Sequence, residues 1–469
     1  MRAMQWTVVA FGMVVAAGCQ SLDVGNLNAP ALDDLLSNPT RGKLATAATG
    51  LLIGTRAGIA AQNGYVSLLG ILGRESYNFD PADPRFVTEM MVGPLDGGSP
   101  AFGGNLWANP LRNILNANIV LTVVDRVPAM SDPEKEAVRG FAQTIQAFDF
   151  LKMINTRDVN GAPIPTGIDL TASPAPIATK AAVFAHIVQL LDEGQTHLQA
   201  AVTGSAAFPF PLPAGFAGFN TPATFVRFNR ALRSRVAVYD GDFAGALTAL
   251  GASFVDTAST TSLDKGVYYD YASGSGDEQN ALFDPEARAI LAHPSFQTDA
   301  QLQVGGAKDA RFVRKIKKLS AAKSAQGLSS DLQFLTYNSV DAPIPIIRNE
   351  ELILLRAEAN IGLNTAASLA AAVADLNVIR VRSGNLPVYA GAVTQAALLD
   401  ELLYNKRYSL MFEGGHRWID LRRYNRLSTL PQDPTSGGAA KRFSKFPFPA
   451  FECDPRTPTP PGCGTEVGS

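Results

Sequence analysis

The chain has 469 residues, 46% hydrophobic and 8% aromatic, which suits a large buried core and excludes a disordered chain. Forty Lys and Arg against 42 Asp and Glu leave a net charge of −2. No basic field favours nucleic acid, and no Lys/Arg-rich stripe interleaved with aromatics is present.

Residues 1–18 differ from the rest. Arg2 supplies a minimal positive region, Trp6 to Ala17 is apolar, and Ala16, Ala17 and Gly18 lead into Cys19. About twelve apolar residues are too few to span a hydrocarbon core of about 30 Å, so the segment is read as an export signal. It ends on a cysteine where a secreted protein would show an Ala-x-Ala cleavage site. That resembles a bacterial lipobox, with Ala16 where Leu is commonest, and implies a lipid on Cys19. The alternative is a plain secretory signal with a chance cysteine. Several acyl chains, at about 0.8 kcal/mol per buried methylene, would anchor the protein stably. Residues 19–40, with Asn26, Asn28, Pro30 and Pro39, read as an extended tether, and 41–469 as one helical domain.

From there the pattern is mainly helical, with no alternating strand run of useful length. Val183, Ile187, Leu190, Leu191 and Leu198 form one apolar helix face, with Thr179 at the N-cap position. Asn229 to Tyr239, the turn Asp240-Gly-Asp242, and Phe243 to Leu250 read as helix, turn and helix, with the spacing of a tetratricopeptide unit. A second pair spans Pro343 to about Ser383: strong helix formers from Ile347 to Ala359, a stop at Gly362 and Asn364, and a return helix marked by Leu369, Val373, Leu376 and Ile379. A third helix runs from about Val393 to Met411. Three stretches read as non-helical: 74–107, the phenylalanine-rich 204–228, and 262–300 with Tyr268, Tyr269 and Tyr271. The phenylalanine loop is read as core cover or a docking element. Cys453 and Cys463 bracket nine residues too proline-rich to be helical, which in an exported protein reads as a disulfide. A metal site is the alternative, but no histidine lies near.

Three segments carry a family resemblance. The first is Tyr404-Asn-Lys-Arg-Tyr-Ser-Leu-Met-Phe-Glu413-Gly-Gly-His-Arg417-Trp418-Ile-Asp420-Leu421-Arg422-Arg423; the second is Pro345 to Ala359 with Leu376 to Arg382 downstream; the third is Trp107 with Ala117-Asn118 and the later Tyr239–Ala246 unit. Together they resemble the SusD/RagB family of nutrient-uptake lipoproteins, whose C-terminal signature reads F-E-G and then R-W-x-D-L-R-R. The resemblance implies an all-α, mainly helical fold of four tetratricopeptide-like helix pairs, with ligand-site loops on one side. It also implies a cell-surface nutrient-binding lipoprotein, lipid-anchored in the outer membrane of a Gram-negative bacterium. Such a protein captures an oligosaccharide or other nutrient without cleaving it and delivers it to a TonB-dependent SusC-like barrel.

Within the signature, Arg407, Arg417, Arg422 and Arg423 are expected to face Glu413 and Asp420 in a partly buried ion-pair network, with Trp418 in the core. A sugar site needs aromatic faces and planar polar groups. Trp107 with Asn109 is the first candidate, followed by Arg74, Tyr77, Tyr268 and Tyr269. Trp107 as a structural residue at a helix start is the competing reading.

Catalysis finds no support. G-x-S-x-G, H-E-x-x-H and P-loop motifs are absent, and His186, His197, His293 and His416 lack metal-ligand spacing, so no metal or cofactor is expected. The alternatives are a helical-repeat structural adaptor without a small ligand, and a glycan hydrolase, for which any two carboxylates could be paired on paper. Cys19→Ala should release the protein from membranes. Unchanged membrane fractionation would show that Cys19 is not the anchor.

Overall fold

Five threonines set helix starts. Thr40, Thr179, Thr221, Thr365 and Thr394 each accept a backbone N–H from the first turn, the third residue on, and so satisfy an otherwise unpaired donor. The computed structural model describes residues 32–98, 100–168 and 172–469. The expected signal, Cys19 and the tether up to residue 31 lie outside them.

The described chain is mainly helical. The long helices Arg41–Arg56, Asn105–Val123, Asp132–Arg157, Lys180–Thr203, Pro222–Asp240 and Phe243–Gly251 each pack on the next. Helix Asn349–Leu363, the central helix, continues the series and also contacts Ala366–Arg382 and Gln395–Ser409. His416–Arg423 packs against the last of these. Phe243, just past the glycine turn, lays its ring over Gly362 of the central helix, where a Cβ would fall 2.3 Å from the ring. Among the described residues no helix is long and apolar enough to cross a membrane.

Several expectations are corrected. Part of the tether, Leu32–Ser37, is helical, and Leu35 is buried in the core. A hairpin pairs Ile316–Ala325 with Leu328–Phe334, although no strand run was expected. Its first strand is mostly exposed and shows no alternation, and its second buries a polar residue, Ser330, whose hydroxyl donates to the Ala292 carbonyl at 2.7 Å. The informative signal was the turn, Gln326-Gly327, with φ of 50° and 81°. In the 204–228 stretch, Phe225 and Phe228 belong to helix Pro222–Asp240, and Phe210, Phe216 and Phe219 are buried. Phe210 and Phe225 pack on Phe141, Phe216 on Phe225 and Phe228, and Phe219 on Phe254, so this segment covers the core.

The C-terminal segment closes the fold. Cys453 and Cys463 are disulfide-bonded, and Thr465–Glu466 pairs antiparallel with Leu95–Asp96. Trp418 is fully buried, and its Nε1 donates to the Phe443 carbonyl at 2.7 Å.

The signature charges are distributed differently from the expected cluster. Asp420 pairs with Lys406 at 2.7 Å and with Arg423 at 3.0 Å, and both cations also reach Glu358 of the central helix, at 2.9 and 2.8 Å. Glu413 instead pairs with Lys315 and Arg348, at 2.9 and 3.0 Å. Arg407 reaches Asp299, Arg422 lies 3.4 Å from Asp158, and Arg417 makes no ion pair with a described residue. The physical reason is reach: the helix turns these side chains towards different neighbouring elements rather than towards one another.

Asp420→Ala should leave two buried cations facing one carboxylate and cost roughly 3–5 kcal/mol, while Arg417→Ala costs less. Equal melting temperatures for Asp420→Ala and the parent would show that the network is solvated. Burial alone would raise the Glu358 carboxyl, but Lys406 and Arg423 hold it at about 2; Arg348 and Lys315 do the same for buried Glu350. A carboxylate held below its unfolded-chain value stabilises the fold above that value and loses the contribution as pH falls through the folded one. Stability should therefore decline as pH drops from about 4 towards 2 in an acid denaturation series.

Candidate functional site

The strand Gly266–Tyr269 pairs antiparallel with Ile344–Arg348, the strand that runs directly into the central helix. Successive side chains on a strand face opposite ways, and burial alternates accordingly. Val267 and Tyr269 enter the core, while Tyr268 is half-buried on the outer side. Tyr268 forms a wall shared by two open clefts.

The first cleft has a volume of about 530 Å³ and a largely apolar lining: Leu52 and Ile53 of helix Arg41–Arg56, Pro211, Leu212, Pro213 and Phe216 of the phenylalanine segment, with Tyr268 and Ile346. Ile53 is 65% exposed. An open apolar side chain of this size is informative where it joins others in a concave surface. Arg56, Asp270, Ser275 and Asp277 supply the polar rim.

That rim is built rather than incidental. Arg56 donates to the Asp270 carbonyl, to Asp277 Oδ1 at 2.8 Å, and stands 5.5 Å above the Tyr271 ring. The Asp270 carboxylate accepts the N–H of Gly215. Gly215 approaches so closely that a Cβ would fall 2.2 Å from the Tyr268 carbonyl, so only glycine brings the two loops together there.

The second cleft, about 520 Å³, lies on the other side of Tyr268 and is polar. Its floor is Arg348, paired with Glu350 and Glu413, with Lys315 beside them. Arg314, Arg382, Asp264, Thr336 and Tyr337 complete the wall. Burial pushes the Tyr268 hydroxyl well above its ordinary value, so it remains a neutral hydrogen-bonding group; it donates to the Asp264 carbonyl.

The other sequence candidates lie elsewhere. Trp107 is fully buried: its Nε1 donates to Glu452 at 3.1 Å, Phe448 meets its edge, and Arg157 covers it at 5.3 Å. No face of it is open to a ligand. Arg74 is fully buried and donates to the carbonyls of Ile71, Pro431 and Lys441. Tyr77 is buried against His293. Asn109 is half-buried and donates to the Ala57 carbonyl at 3.2 Å. Tyr269 does not lie elsewhere: it is buried behind Tyr268 and lines the first cleft with it. Arg56, Ile53, Asp270 and Arg314 were missed, since an isolated side chain on a helix or loop whose role comes from distant segments leaves no mark in the sequence. Among the described residues no cluster of three or more His, Cys, Asp or Glu is placed to hold a metal.

Solved structures that superpose on this fold include SusD-like proteins. A SusD superfamily protein from Bacteroides vulgatus superposes with a TM-score of 0.65 at 14% identity, covering 92% of this chain and 99% of its own. A SusD-like carbohydrate-binding protein from Bacteroides fragilis gives 0.66 at 15%, covering 92% and 94%. A laminarin-binding SusD-like protein gives 0.64 at 18%, covering 90% and 99%. No curated protein matches the sequence. Residues 309–460 match the model of the SusD family, and the fold of the chain is similar to that of SusD-like proteins. The matched range contains the signature and the charged floor of the second cleft.

Trp107→Ala should act on the fold, lowering stability by about 3–5 kcal/mol in denaturant titration. A loss of ligand affinity at unchanged stability would restore Trp107 as a ligand-facing residue.

Proposed function

We propose that this protein binds an oligosaccharide in the apolar cleft, with a sugar ring against Tyr268, and releases it uncleaved. The observation that carries the reading is the pairing of an open apolar floor with a fixed polar rim. A pyranose has an apolar C–H face and a ring of hydroxyls, which suit Tyr268, Leu212 and Ile53 on one hand and Arg56, Asp270 and Asp277 on the other. Similar structures described as carbohydrate-binding and laminarin-binding support that ligand class.

The lipobox-like residues ending at Cys19 and the family resemblance support the wider role. The protein is tethered at the outer surface of a Gram-negative outer membrane and hands captured ligand to a SusC-like TonB-dependent barrel. Confinement to the membrane raises the effective concentration of the two proteins, so a weak docking contact suffices.

Calorimetry against laminarin oligosaccharides and a panel of other neutral glycans tests the binding step. Tyr268→Ala should weaken affinity about tenfold or more at an unchanged melting temperature. Unchanged affinity, or shortened products after incubation, contradicts the reading. Co-purification from detergent-solubilised membranes tests the transport step, and recovery without any barrel removes it.

A further inference from the structure

The two clefts that meet at Tyr268 differ in the charge of their walls. On the apolar side the ionisable groups are Arg56, Asp270 and Asp277, and Arg56 is already committed to its loop. On the far side stand Arg314, Lys315, Arg348 and Arg382 against Asp264, Glu350 and Glu413. Lys315 and Arg348 neutralise one another's carboxylate partners at the floor. Arg314 and Arg382 make no ion pair with a described residue. Arg382 is held by the backbone carbonyls of Thr257, Ala258, Ser259 and Thr261. Arg314 is exposed, and its contacts are two bonds of 3.4 Å to Ser383, at the outer limit of hydrogen bonding. Thr336 Oγ1, in the same wall, is buried with no hydrogen-bond partner.

We infer that this second cleft receives an anionic group, a carboxylate or a sulfate ester, carried by the same oligosaccharide that stacks on Tyr268. The inference rests on the glycan reading above and narrows it to acidic glycans. An arginine fork matches a carboxylate or sulfate bidentately, and charge-assisted bonds of this kind are about twice as strong as neutral ones. Arg314 is held only by the two long bonds to Ser383, and Arg382 adds positive charge to the same wall. The carboxylates at the floor are already answered by Lys315 and Arg348. Asp264, 81% exposed and 3.3 Å from Arg348, is the one open acid at the rim. The walls thus order the ligand, with its neutral segment on the apolar side and its charge beyond Tyr268.

The test compares three probes of equal length by calorimetry: a uronate oligosaccharide, its carboxyl-reduced neutral counterpart, and a sulfated oligosaccharide. At least one anionic probe should bind about tenfold or more tighter than the neutral one, and which of them gains separates carboxylate from sulfate. The advantage should shrink as salt rises. Arg314→Gln should bring the affinities together at an unchanged melting temperature, since the side chain is exposed. Equal binding of all three probes, or an anionic preference that survives Arg314→Gln, overturns the inference. Where the neutral probe binds and Tyr268→Ala weakens it but charge makes no difference, the glycan reading stands and this inference alone falls. Where no saccharide binds at all, both fall.

Discussion

A charge taken out of water has to be answered by an opposite charge at hydrogen-bonding distance, and the central helix carries three such charges. Glu350, Glu351 and Glu358 are 3%, 2% and 0% exposed. Each draws a different part of the chain inward. Glu351 is gripped bidentately by Arg235 of helix Pro222–Asp240, at 2.6 and 2.7 Å. Glu358 calls in Lys406 of helix Gln395–Ser409 and Arg423 of helix His416–Arg423, and the Tyr424 hydroxyl as well. Glu350 is met by Arg348 and by the Ser409 hydroxyl. Hydrophobic burial supplies the driving force of the fold, and these pairs tie the neighbouring elements to the central helix.

The same pairs reach the clefts. Arg348 is the last residue of a strand and stands immediately before the central helix. Its guanidinium binds Glu350 and Glu413, so the strand end is held in place by the network. That strand is the partner of Gly266–Tyr269, whose register sets Tyr268 outward and Tyr269 inward. The position of the one aromatic shared by both clefts therefore depends on buried ion pairs several residues away. This explains why a signature rich in charges accompanies a site in which few of those charges are open.

The helical half of the fold was legible because its signals are local. The cap at Thr179, the glycine and asparagine stops, and the apolar face of Lys180–Thr203 are each contained within a few residues. The hairpin was hidden because its first strand has almost no buried face, and because Ser330 breaks the alternation of the second. Trp107 was misleading for a different reason. A lone tryptophan near glycines reads equally well as a platform or as core, and its partner Glu452 lies 345 residues away. The tyrosines at 268 and 269 were found together, yet only pairing with Ile344–Arg348 separates the outward ring from the inward one. Arg56 and Arg314 could not have been found, since their roles come from the loops and clefts assembled around them.

The most direct measurement is a crystal structure of the mature protein grown with an acidic oligosaccharide that it binds. Density for a sugar ring stacked on Tyr268, with its hydroxyls at Asp270 or Asp277 and its charged group within hydrogen-bonding distance of Arg314, is the expected result. A saccharide seated elsewhere, with both clefts beside Tyr268 holding only solvent, would contradict the assignment of the site.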